Sequence, residues 1–140
     1  MEETLKNLEE ARKRLYRKLT AVGDFRRGTI SVNYRRCGKA NCSCTKKGHP
    51  GHGPQYLWNT TIKGKSYAKS IPLGPELEKY TRETDNYRKF MGICGEIIEV
   101  HEKICNLRAV PAVNENEAAE LKKKLQRRFK TKYKEKLTVS

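Results

Sequence analysis

The residue pattern predicts an α+β fold: a small three-stranded antiparallel sheet with a cysteine knuckle, packed on an N-terminal helix and a long helix, plus a basic C-terminal helix. Three observations lead there. The apolar period changes from two to about three and a half at Pro72-Leu73-Gly74-Pro75. Cys37, Cys42 and Cys44 fall between the first two alternating runs. No acidic residue occurs from Phe25 to Pro75, and an acidic or mixed-charge composition resumes on either side.

The first element, within residues 1–24, is an amphipathic helix over 2–21, with Leu5, Leu8, Leu15 and Leu19 on one face around Ala11 and Gly23 ending the run. Its acids come first and its bases last, an order that suits the helix dipole and calls for no functional reading. Residues 25–75 form the second region. Ile30, Val32 and Tyr34 alternate with polar residues, so 29–36 reads as a half-buried strand. Tyr56, Trp58, Thr60 and Ile62 repeat that pattern, as do Tyr67, Lys69 and Ile71, and Lys63-Gly64 between them predicts a tight hairpin.

Over 76–107, Leu77, Tyr80, Thr84, Tyr87, Met91, Cys94, Ile98, His101 and Cys105 are spaced alternately by three and four. Phe90, Ile97 and Ile104 widen this stripe, and the pattern predicts one long helix with a coiled-coil-like seam, packed on the first helix, on the sheet or on a second copy of itself. Cys94, Cys105 and His101 read as packing residues within that seam. Residues 108–116 hold Pro111 and Asn114 and read as a linker. The tail, 117–140, is helical by pattern, with Leu121, Leu125, Phe129, Tyr133 and Leu137 each four apart. That spacing drifts around a helix, so it makes a poor core stripe and suits ordering against a partner.

The formal net charge of +15 makes a polyanion the expected partner, DNA or RNA. Met1-Glu2-Glu3-Thr4-Leu5 lacks the apolar run of a signal peptide and no segment has transmembrane length. The expectation is a cytoplasmic protein with reduced cysteines and no membrane partner.

Clustered thiols in a reducing compartment point to a metal site. Cys37-Gly38-Lys39-Ala40-Asn41-Cys42-Ser43-Cys44 is followed by His49 and His52. Zinc takes four soft or borderline ligands at tetrahedral corners, and three thiolates with one imidazole is a common structural set. Neighbouring Arg36, Lys39, Lys46 and Lys47 favour the deprotonated thiols. On these grounds alone, either histidine serves. The acid-free surroundings offer no carboxylate for proton shuttling, so the Zn2+ is read as structural and the protein as non-enzymatic.

At these residues the chain resembles an uncharacterised family of small bacterial and archaeal proteins with the pattern C-G-K-x-x-C-x-C, a short basic loop, H-G-P, a β-hairpin and a long helix. The likeness covers about residues 25–107. In the family pattern the histidine directly precedes Gly-Pro. The resemblance therefore implies Cys37, Cys42, Cys44 and His52 as the ligand set, although His49-Pro50-Gly51 is extra in this loop. It implies no activity.

The functional expectation is a nucleic-acid binder with phosphate contacts from Arg26, Arg27, Arg35, Arg36, Lys39, Lys46, Lys47, Lys63 and Lys65 in the sheet region, and from Lys122, Lys123, Lys124, Arg127 and Arg128 in the tail. Tyr34, Tyr56, Trp58 and Tyr67 serve as base-stacking platforms if they face outward and as sheet core if they face inward. The alternative is an adaptor that docks or dimerises through the long helix, with the knuckle holding the sheet together.

Overall fold

The computed structural model describes residues 4–139, with side chains described over 4–130. The chain divides into two units: residues up to Leu107, and residues from Arg108 onward.

Helix α1 runs Leu5–Thr20, and its start is set by Thr4, whose hydroxyl accepts the Asn7 N–H at 3.2 Å. Glu2 and Glu3, which the sequence reading included, lie outside the described residues. Strand β1, Thr29–Arg35, pairs antiparallel with β2, His52–Ile62, which pairs antiparallel with β3, Lys65–Ser70. The sheet order is β1-β2-β3. At the β2–β3 hairpin Lys63 and Gly64 have φ of +50° and +79°, the left-handed pair that a two-residue type I′ turn requires.

Because strand side chains alternate, one sheet face carries Ile30, Tyr56, Trp58, Thr60 and Lys69, and this face meets helix α2, Pro75–Leu107. Trp58 packs edge-on against Tyr80 with centroids 5.4 Å apart, and Lys69 Nζ donates to the Tyr80 hydroxyl at 3.2 Å. Ile71 and Thr60 are buried there. The Arg26 guanidinium lies 3.7 Å from the Tyr80 ring centroid, and its Nε donates to Glu83 Oε1 at 2.9 Å. Lys79 Nζ holds the other Glu83 oxygen at 2.8 Å. Lys79 and then Arg26 hold the Glu83 carboxyl below its ordinary range, against the opposing effect of burial.

α2 uses two faces in succession. Its first turns present Tyr80 and Thr84 to the sheet, whereas its later turns bury Ile97 and Ile104 in the pairing with α1. The α1 side is joined by a contact between the Tyr16 hydroxyl and His101 Nε2 at 3.0 Å, with the two rings edge to face. The predicted seam is therefore not one packed stripe. A helix of 33 residues is about 50 Å long, and the sheet reaches only its N-terminal part. Past it, Met91 and Ile98 are 51% and 57% exposed, and Cys105, expected in the core, is exposed while Cys94 is half-buried.

In the second unit, helix α3 spans Glu115–Val139. It begins two residues before the expected tail boundary because Asn114 caps it: its side-chain oxygen accepts the Glu117 N–H at 2.8 Å, and its amide nitrogen donates to Glu117 Oε1 at 3.2 Å. Leu121, Leu125 and Phe129 are exposed, and the side chains of Tyr133 and Leu137 lie outside the described set. No helix among the described residues is long and apolar enough to cross a membrane.

Candidate metal centre

The knuckle sits where β1 hands over to β2. The register pairs Arg35 with His52 across a local irregularity, so β2 begins at His52, four residues before the alternating run at Tyr56. That pairing brings His52 to the end of β1, and Cys37, two residues beyond Arg35, turns back within hydrogen-bonding reach of it. Gly51 has φ of +106°, and a Cβ there would meet the Arg35 carbonyl oxygen at 3.0 Å, so only glycine lets the chain turn in so close to β1.

Cys42 and Cys44 are presented by a single 3₁₀ turn, Ser43–Thr45. The Thr45 hydroxyl donates to the Cys42 carbonyl at 2.7 Å. Arg36 clamps the loop from below: Nη1 donates to the Cys44 carbonyl at 2.6 Å and Nη2 to the His49 carbonyl at 3.1 Å. His49 Nδ1 accepts the Gly51 N–H at 2.9 Å, so His49 ties its own turn and stays out of the cluster.

The ligand atoms of Cys37, Cys42, Cys44 and His52 all lie within 4.8 Å of one another. Metal–sulfur bonds of about 2.3 Å in a tetrahedron place neighbouring ligand atoms about 3.5–3.8 Å apart. Cys37 Sγ and Cys44 Sγ are 3.6 Å apart, and Cys42 Sγ and His52 Nε2 are 3.1 Å apart. The spread of separations is close to that of a tetrahedral site, and the set can hold a metal ion.

The electrostatics of the cluster are unequal. The Lys39 backbone N–H, then His52, hold the Cys37 thiol below its ordinary value. The Cys44 backbone N–H, then Cys37, bring Cys42 down to about 6. Cys44 also has a backbone donor, from Cys37, but desolvation and the neighbouring thiols outweigh it and push Cys44 up. Hydrogen bonds to Cys37 and Cys42 raise His52. Backbone donors and an imidazole thus favour thiolate at two corners, which is the protonation a metal ligand requires.

The cations expected on the nucleic-acid surface separate into two groups. Arg26 is engaged with Glu83 and Tyr80, and Arg36 with the knuckle carbonyls. The clamp role of Arg36 has no signal in the sequence, because it is defined by two carbonyls brought near it only by folding. Arg27, Arg35, Lys39, Lys46, Lys47, Lys63 and Lys65 are exposed around the sheet, and Lys122, Lys123, Lys124, Arg127 and Arg128 are exposed on α3. Of the aromatics, Trp58 faces α2 and donates its indole N–H to the Arg27 carbonyl at 3.0 Å, which makes it core rather than platform.

Fold and site together define a small α+β protein that carries a Cys3His cluster at one end of a three-stranded sheet. The chain belongs to the family described as Domain of unknown function (DUF6788), whose model matches residues 5–83. The match takes in α1 and stops within α2, so the family likeness reaches further toward the N-terminus, and less far along the long helix, than the knuckle motif implies. No curated protein and no solved structure shows significant similarity to it.

Proposed function

We propose that this protein is a non-enzymatic nucleic-acid-binding protein whose sheet is held by a structural zinc ion. The single observation that carries the binding reading is the acid-free stretch from Phe25 to Pro75, whose remaining exposed cations surround the sheet. A solvated face of ordinary composition interleaves both signs of charge; a surface lacking one sign attracts polyanions by counterion release. The basic α3 adds a second set of cations. For the metal, three sulfurs and one nitrogen favour zinc over magnesium or calcium, and four protein ligands leave no open coordination position for a substrate.

Fluorescence anisotropy of the metal-loaded protein against duplex DNA, single-stranded DNA and structured RNA tests this reading. In a salt series from about 50 to 300 mM, the expected slope of log affinity on log salt is about −4 or steeper. Deleting 115–140 is expected to weaken binding and flatten that slope. Weak, salt-insensitive association with all three probes would overturn the reading.

A second reading has one observation in its favour. Met91 and Ile98 continue the sheet-facing stripe of α2 and remain exposed, which suits a protein that docks or dimerises through its long helix. Sedimentation of the full chain at high salt distinguishes it, because an apolar helix interface survives salt and a phosphate interface does not.

A further inference from the structure

The sheet face opposite α2 is built mainly of small and amide side chains. Strand alternation places Asn33 directly opposite Gln55, and in the next row Ser31 opposite Leu57 opposite Ser70. Asn59 stands in the row after that and donates its amide to Ser31 Oγ at 2.8 Å. Asn33 donates to the same oxygen at 3.1 Å, so Ser31 orients both amides. Apart from Arg35 at its knuckle end, no described residue on this face is charged, and none is aromatic or buried. Cations bracket it: Lys39, Lys46 and Lys47 belong to the knuckle at one end of the strands, and Lys63 and Lys65 to the hairpin at the other.

Resting on the nucleic-acid reading above, the geometry points to duplex DNA as the ligand, with this open face laid in the major groove and Asn33 and Gln55 reading base edges. The axes of the outer two strands lie about 10 Å apart, a dimension comparable to a major groove about 12 Å wide. Asn and Gln amides pair with adenine through its N6 and N7 edge. An amide nitrogen carries two hydrogens, so the bond from Asn33 to Ser31 leaves one donor and the oxygen acceptor for a base. Leu57 supplies an apolar contact for a thymine methyl.

Alternative nucleic acids fit less well. Single-strand binders stack bases on aromatics, and this face carries none. By register Tyr56, Trp58 and Tyr67 stand on the other face, where Trp58 packs on Tyr80, while Tyr34 and Tyr67 remain about half exposed. The major groove of an RNA duplex is too narrow and deep for side chains to read. The bracketing lysines then meet phosphates at the two ends of a footprint of about six base pairs, the length of about 20 Å spanned by seven strand residues.

The experiment uses the full metal-loaded chain. Its preferred duplex is first selected from a pool with randomised base pairs. Anisotropy then compares that duplex with a scrambled one, with the RNA duplex of the same sequence, and with a version in which glucosylated 5-hydroxymethylcytosine fills the major groove. The selected DNA is expected to bind about tenfold or more tighter than the RNA and the glucosylated duplex. Asn33→Ala with Gln55→Ala is expected to cut the selected-over-scrambled preference about tenfold while the salt slope stays unchanged. Ser66→Glu, at an exposed position on the same face, is expected to weaken duplex DNA binding with melting temperature and metal content unchanged. Equal affinity for plain and glucosylated duplexes, equal affinity for RNA, or full affinity in Ser66→Glu would overturn the groove assignment and leave a phosphate-directed binder. Absence of binding to every probe would instead overturn the nucleic-acid reading itself.

Discussion

The knuckle end of the sheet and the α1–α2 pair hold together by opposite means. Around the knuckle, Cys44 and Gly51 are the buried residues, and the order comes from designated atoms: four ligand atoms, an arginine on two carbonyls and a glycine where no Cβ fits. Between α1 and α2, order comes from apolar area, with Leu8, Ile97 and Ile104 buried and few polar contacts required. Each such side chain contributes about 1.5–3 kcal/mol by leaving water. Apolar packing tolerates exchange of one aliphatic for another, whereas a ligand set tolerates almost none.

The comparison breaks most visibly at a ligand. Cys42→Ser is expected to abolish stoichiometric metal binding and to lower the melting temperature by about 10 °C or more, with loss of sheet signal over 30–72. Metal analysis with thermal denaturation checks it, and a variant that keeps both its metal and its melting point would remove Cys42 from the site. Ile104→Ala comes next, at about 2–4 kcal/mol for a residue only 2% exposed, yet it is expected to leave metal content unchanged. Loss of metal in that variant would show that the two regions are not independent.

A smaller effect is expected where the sheet meets α2. Glu83→Gln should cost about 1–2 kcal/mol, measured by urea denaturation, since it removes the charge that Arg26 and Lys79 share. The depressed Glu83 carboxyl sets the direction of a pH effect. Its stabilisation is fully present above the ordinary carboxylate range and disappears as pH falls through the depressed value, so wild type and Glu83→Gln should converge in stability on acidification. Persistence of the full difference at the acid end would exclude this ion pair as its cause. The smallest effect belongs to Ile98→Ser, an exposed position expected to change monomer stability by less than about 0.5 kcal/mol. A large loss of stability on that substitution, at micromolar concentration and dependent on it, would reveal α2 as an association surface.

Local periodicity made most of the elements legible. The Lys63-Gly64 hairpin, the three strands and the start of the long helix after Gly74 follow from turn chemistry and from the change of apolar period. Errors arose where a local pattern was extended past what it packs against. The three-four spacing of α2 continues through Met91, Ile98 and Cys105, but the sheet covers only the N-terminal turns, and the burial moves to Ile97 and Ile104 on the flank of that stripe, opposite α1. Spacing specifies a face of a helix; it does not specify how far a neighbour extends along that face.

The same division holds for the site. By itself, the sequence determined that three thiols and a nearby histidine lie within one short stretch of chain, because that much is a matter of chain proximity and ligand chemistry. Ligand chemistry alone left His49 and His52 equal, and the family pattern pointed to His52; the tertiary structure supplies the reason, since pairing Arg35 with His52 delivers His52 while the Gly51 N–H retains His49. It also decided which cations are already engaged, by pairing Arg26 with Glu83 and Arg36 with backbone carbonyls. Charge along a chain is additive and can be read residue by residue, but availability depends on partners that only folding brings within hydrogen-bonding distance.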